Sequence, residues 1–168
     1  MPDNPAPDNP APDTPTGEAR TEDRRRWMGV LAKAAPEEIA AVWSGLGPIP
    51  AYDLLRRPET GLVMVRGRIG GDGAPFNLGE MTVTRCSVRL AGDKAGNLVG
   101  HAWVAGRRHD HAERAAVLDA LMQDPARRPA VEPAIARMAS RQAARRAEDA
   151  RKAAATRVDF FTMVRGEN

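Results

Sequence analysis

The chain has 168 residues and a formal net charge of +3, from 25 basic and 22 acidic side chains. That is enough for one domain with a modest core, and the single cysteine, Cys86, excludes an internal disulfide. No stretch approaches the roughly 18 apolar residues of a membrane span and no N-terminal apolar segment marks export, so the expectation is a soluble, cytoplasmic protein without a membrane role.

The charge is unevenly placed. Residues 1–23 hold six acids against Arg20, a balance of −5, which leaves +8 for the remainder. Nearly all of that base is arginine, whose planar fork suits carboxylates and phosphates. The N-terminus repeats Pro2-Asp3-Asn4-Pro5-Ala6, Pro7-Asp8-Asn9-Pro10-Ala11 and Pro12-Asp13-Thr14-Pro15-Thr16. Proline removes backbone donors and like charges repel, so residues 1–20 read as a disordered tail. An α+β domain is expected over 21–133 and a C-terminal arm over 134–168.

A first helix is predicted from Thr21 or Asp23, with Trp27, Val30, Leu31 and Ala34 as its apolar stripe. Pro36, Glu37 and Glu38 open a second helix, where proline loses only a free amide and the acids meet the positive dipole end. Ile39, Val42, Trp43 and Leu46 line that helix. Residues 52–56 read as a short edge strand, 58–61 as a turn, and 62–69 as a strand with Val63 and Val65 opposite Met64, Arg66 and Arg68. The glycine-rich stretch 70–79 lacks a phosphate-loop pattern and joins strand to strand, so it reads as a hairpin loop. Residues 80–90 alternate again, with Thr82, Thr84, Cys86, Val88 and Leu90 on the drier face. Residues 98–105 form a third strand. This is an antiparallel meander with one buried and one basic face.

A central helix follows. Asp110 and Glu113 have the spacing of a capping box, and Ala115, Leu118 and Met122 repeat as a buried stripe. Residues 124–133 read as a proline-punctuated linker. From Ala134 to about Thr156 alanine and arginine favour helix, but large apolar residues vanish after Ser140. The end of the chain turns apolar, making Val158, Phe160, Phe161, Met163 and Val164 candidates for docking on a partner. The fold class is therefore α+β: an N-terminal helical hairpin, an antiparallel β-meander, a central helix and a long C-terminal helical arm.

No complete catalytic set is legible. His109 and His111 diverge once His111 is drawn into a helix, so no metal site is assigned. Arg66, Arg68, Arg85, Arg89, Arg107 and His111 are candidates for an anion-binding site or interface. The interleaved aromatics of a single-strand binder are missing there, which disfavours nucleic acid. On residues alone, a free-standing α+β domain holding an anionic ligand or RNA on an arginine-rich sheet face is one reading.

A more specific reading comes from longer stretches: Arg26-Trp27-Met28; Glu59-Thr60-Gly61-Leu62-Val63; Leu78-Gly79-Glu80-Met81-Thr82-Val83-Thr84-Arg85; Trp103-Val104 with Gly106-Arg107; His111-Ala112-Glu113-Arg114; Ser140-Arg141-Gln142; and the terminal run Thr156-Arg157-Val158-Asp159-Phe160-Phe161-Thr162-Met163-Val164-Arg165-Gly166. Together they resemble the PhnG family, a subunit of the bacterial carbon–phosphorus lyase system. The resemblance covers residues 24–168 and leaves the repeat tail outside. It includes His111 but not His101 or His109.

The resemblance implies a non-catalytic or scaffold subunit of a complex. Such proteins assemble with PhnH, PhnI and PhnJ and work with PhnL and PhnK. With PhnI, PhnH and PhnL they support transfer of a phosphonate onto the ribose of Mg-ATP with release of adenine. PhnI is the nucleosidase-type catalyst. No cofactor is expected on this chain alone, and no catalytic residue carries over.

Overall fold

The computed structural model describes residues 17–91 and 98–156. Helices α1 (Gly17–Lys33) and α2 (Pro36–Gly45) lead into β1 (Tyr52–Arg68). A short 3-10 turn, Ile69–Gly71, connects to β2 (Pro75–Leu90), and β3 (Val99–Ala105), α3 (His109–Gln123) and α4 (Arg128–Ala155) follow. The three strands form one antiparallel sheet in the order β1-β2-β3. The fold is α+β in the expected element order.

The sheet has one covered face and one open face. Thr84, Cys86, Val88 and Leu90 of β2 and Gly100, Ala102 and Val104 of β3 are buried on the side that α3 packs against. Helices α1, α2 and α4 then close over α3 from the other side. This explains a departure from the expected stripe: every residue from Ala115 to Met122 is buried, so α3 is enclosed rather than amphipathic. Its alanines permit the close approach. A Cβ at Gly100 would lie 1.9 Å from the Ala116 carbonyl oxygen and 2.7 Å from the Ala120 nitrogen.

The helix layer is tied to the sheet through one buried acid. Asp119 accepts from Arg24 at 2.7 Å and 3.2 Å, from the Trp27 indole at 2.8 Å and from the His101 backbone amide at 2.9 Å. Glu38 joins the second helix to α4. It accepts from the Ala35 amide at 3.0 Å and pairs with Arg141 at 3.3 Å. The Ala35 amide, with help from Arg141 and Arg145, holds its carboxyl below the usual range.

Several local expectations are corrected. Helix α1 begins at Gly17, ahead of the expected start at Thr21 or Asp23. Residues 58–61 are not a turn: β1 runs straight through them, with register shifts between Leu54 and Arg56 and between Arg56 and Glu59. Bulges on an edge strand absorb Pro58, whose missing amide has no ladder partner to lose. The predicted hairpin loop shrinks to the turn at residues 69–74, where Gly70 and Gly71 have φ values of 66° and 89°, because Pro75 onward already pairs with β1.

Asp110 is not the cap of α3. The helix starts at His109 with Arg108 in the cap position, two residues earlier than expected, and Glu113 instead accepts from the Tyr52 hydroxyl at 2.7 Å. Residues 128–133 are not a linker but the first turns of α4, with Pro129 at a position whose amide is free. Val131, Ala134, Ile135, Met138 and Gln142 form the buried stripe of α4. Gln142 donates to the Val30 carbonyl at 2.9 Å, and residues 143–156 beyond it are all exposed, roughly 20 Å of helix without a core face. Val158, Phe160, Phe161, Met163 and Val164 lie outside the described residues.

Candidate functional site

The turn from β3 into α3 is built on two threonine hydroxyls. Thr84, fully buried on β2, donates to the Gly106 carbonyl at 2.6 Å and accepts from the Arg108 amide at 2.9 Å. Gly106 reverses the chain with a φ of 84°. Thr60, paired with Thr84 across the β1–β2 ladder, lies 3.3 Å from it and 2.9 Å from His109 Nε2. Because the Thr84 proton is committed to Gly106, the Thr60 hydroxyl donates to Thr84 and His109 Nε2–H donates to Thr60.

This frame opens a cleft of about 730 Å³ lined by Pro36, Thr60 and the run from Arg107 to His111. Two guanidiniums and the N-terminus of a fifteen-residue helix give it a positive character, offset in part by Asp110 in the first turn. It can seat an anion.

His111 is 5% exposed, and its Nε2 lies 2.8 Å from the Leu31 carbonyl. A carbonyl only accepts, so Nε2 carries the proton, and Nδ1 has no partner among the described residues. Burial first, and then the neighbouring Arg108 and Arg114, push its pKa below the ordinary value of about 6.5, against the Leu31 hydrogen bond. His111 therefore stays neutral where an exposed histidine takes a proton. The unfolded chain protonates first, so stability drops as pH falls below about 6.5 and levels once the folded form also titrates. An NMR titration of the His111 ring checks this, and a midpoint above that of a free histidine contradicts it.

The six candidate residues do not converge on one face. Arg85 and Arg89 lie on the open face of the sheet, where Arg85 bonds Glu59 at 2.6 Å and Arg89 pairs with Asp53 at 3.5 Å. Arg56 also bonds Glu59, and the two guanidiniums hold that carboxyl below its usual range. Arg85 further stacks over the exposed Trp103 ring, 5.5 Å from its centroid. Arg66 and Arg68 follow the parity of Leu62 and Met64 on the opposite side, out along the hairpin. Only Arg107 and His111 share the cleft. Alternation alone could not show this, because it does not give the register: Leu62 pairs with Thr82 and Met64 with Glu80, which puts them and Arg66 and Arg68 on the Thr84 side, away from Arg85 and Arg89.

The other groups of chemical interest have structural partners. Cys86 is buried with its sulfur 3.4 Å from the Arg56 carbonyl oxygen, and burial, with Glu113 adding, pushes its pKa up to about 11. His101 Nδ1 lies 2.8 Å from the Ser87 hydroxyl. Burial and the bond to Glu113 raise the Tyr52 hydroxyl to about 12. Thr60 and Thr84 were not among the sequence candidates. For Thr84 the signal was there, since a threonine on the drier face of a strand brings a hydroxyl that needs a partner, whereas Thr60 was hidden by the turn expected at 58–61.

The comparisons are consistent across the chain. The family model described as phosphonate metabolism protein PhnG matches residues 22–166. The chain is 46% identical over 154 residues to a protein of Rhizobium meliloti (strain 1021) named alpha-D-ribose 1-methylphosphonate 5-triphosphate synthase subunit PhnG. That alignment takes in 90% of this chain and 94% of the relative.

Proposed function

The chain belongs to the PhnG family of phosphonate metabolism proteins, and from that premise we propose that it is the PhnG-type subunit of a ribose 1-methylphosphonate 5-triphosphate synthase. The observation that carries this is the 46% identity to a subunit of that name across nearly the full length of both proteins. In the proposed reaction a phosphonate oxygen bonds to the ribose C1′ of Mg-ATP. The bond from C1′ to the base breaks, and adenine leaves with a proton. Mg-ATP is substrate of the complex.

The role proposed for this chain is structural: it organises PhnI, the nucleosidase-type catalyst, together with PhnH and PhnJ, while PhnL and PhnK act with the assembly. Supporting a non-catalytic role, His101, His109 and His111 each have a partner within the domain, and the Cys86 thiol is held far from its reactive form. The exposed end of α4 supports a role in assembly, as a helix with no core face of its own. Apolar residues 158–164, which continue from it, are proposed to dock on PhnI. A cytoplasmic setting completes the proposal, and no described helix is long and apolar enough to cross a membrane.

The test is reconstitution with ATP and methylphosphonate. Formation of ribose 1-methylphosphonate 5-triphosphate, followed by phosphorus NMR, should be lost when this chain is omitted from PhnI, PhnH and PhnL and return when it is added. The same product formed at an unchanged rate without it would overturn the proposal.

A further inference from the structure

We propose that the outer part of the β1–β2 hairpin is a docking arm that enters an apolar, acid-edged cleft on another subunit of the synthase. This rests on the subunit reading above. Strand β3 pairs only with residues 83–89 of β2, so beyond Thr82 the hairpin continues as two strands alone. From Leu62 to Arg68 that extension is about 20 Å long. The exposed large apolar residues of the described chain concentrate here: Leu62, Met64, Phe76, Leu78 and Met81, with Ile69 at the tip 76% exposed.

The arm is apolar on both faces. Leu62 and Met64 project on one side, 61% and 51% exposed. On the other, Met81 stands opposite Val63 and Phe76 opposite Gly67. Leu78, in the bulge where Gly79 has a φ of 150°, packs against Gly67, where a Cβ would lie 2.7 Å from its methyl. A flat contact covers one face of such a ribbon and leaves the other wet, so a cleft that closes on both is the fitting receptor. Beyond β3 both edges of the ribbon also leave backbone groups unpaired, which a cleft can pair and open water cannot protect from aggregation.

Charge sets the chemistry of the cleft's rim. In the body of the sheet Arg56, Arg85 and Arg89 have carboxylate partners, but among the described residues Arg66 and Arg68 form no ion pair. Arg68 bonds only the Gly73 carbonyl, at 2.8 Å. The two guanidiniums on the Leu62–Met64 side of the tip call for carboxylates on the partner, while Glu80 opposite Met64 and Asp72 in the turn leave the arm as a whole uncharged. Charge therefore does not exclude a second copy, and it is the 46% identity to a protein named as a synthase subunit that favours a different chain.

The experiment co-expresses full-length chain with PhnI, PhnH and PhnJ and measures incorporation by quantitative pull-down. Three versions are compared: parent, Leu62→Ser with Met64→Ser, and Arg66→Glu with Arg68→Glu. All four residues are exposed, so melting curves should match the parent's. Each double variant is expected to bind at least about 30-fold more weakly, the scale of losing one interface anchor. Hydrogen exchange at residues 62–66 and 76–81 should slow on assembly. Variants that assemble as well as the parent overturn the arm while leaving the subunit reading intact. A parent that ignores all three subunits overturns the subunit reading itself. A parent that dimerises alone through the arm, and variants that do not, overturn the choice of partner.

Discussion

Gly100→Ala is expected to remove stable folding. The added methyl would sit 1.9 Å from the Ala116 carbonyl oxygen, 2.7 Å from the Ala120 nitrogen and 2.9 Å from the Ala120 Cβ. Two of those three atoms are backbone, so no rotamer change relieves the clash, and β3 must part from α3. The helix being displaced is buried from Ala115 to Met122 and packs on the sheet and on three other helices. Overpacking usually costs 1–3 kcal/mol, but here it falls on backbone at the centre of the core, and a loss of about 4 kcal/mol or more is expected. Pairing it with Ala120→Gly removes only the contact at 2.9 Å and should not restore the fold. Denaturant unfolding followed by circular dichroism measures this. A Gly100→Ala protein with the parent's midpoint would show that the sheet and helix are not this close.

Asp119→Ala should be nearly as damaging. Its carboxylate is fully buried and collects Arg24, the Trp27 indole and the His101 amide. Removing it leaves the indole and the amide without an acceptor and Arg24, still 31% exposed, without its counter-ion. Breaking a buried pair of this kind costs about 3–5 kcal/mol. For a chain of this size that lowers the melting temperature by roughly 10 °C. Asp119→Asn is expected to rescue little. Each carboxylate oxygen serves at least two donors, so either orientation of the amide turns an N–H₂ toward groups that also donate. The Trp27 indole proton should shift in the NMR spectrum of both variants. Full stability of the asparagine form would mean that shape, not accepted hydrogen bonds, is what Asp119 contributes.

The sequence made some of this architecture legible and concealed the rest for physical reasons. Periodicity placed two N-terminal helices, three strands and a central helix because each buries a face against something else. It failed at Pro58-Glu59-Thr60-Gly61, whose turn chemistry is overridden by pairing with β2, and at residues 128–133, whose prolines sit early in a helix rather than between elements. It assigned a stripe to α3 because nothing local reveals that a helix is covered on all sides. Asp119 carried a readable clue, an acid inside an otherwise apolar run, which is sustainable only where donors surround it. The arginine face was misread for lack of register: Leu62 pairs with Thr82, which sends Arg66 and Arg68 to the Thr84 side and leaves Arg85 and Arg89 on the other. Family membership, by contrast, rested on long shared stretches and did not depend on any of these local readings.

The central claim is that this PhnG-family chain works only as part of an assembly. Native mass spectrometry after co-expression with PhnI, PhnH and PhnJ tests it most directly. The expected result is a stable multi-subunit mass that contains this chain. A well-folded monomer that remains alone beside those three intact proteins would contradict it.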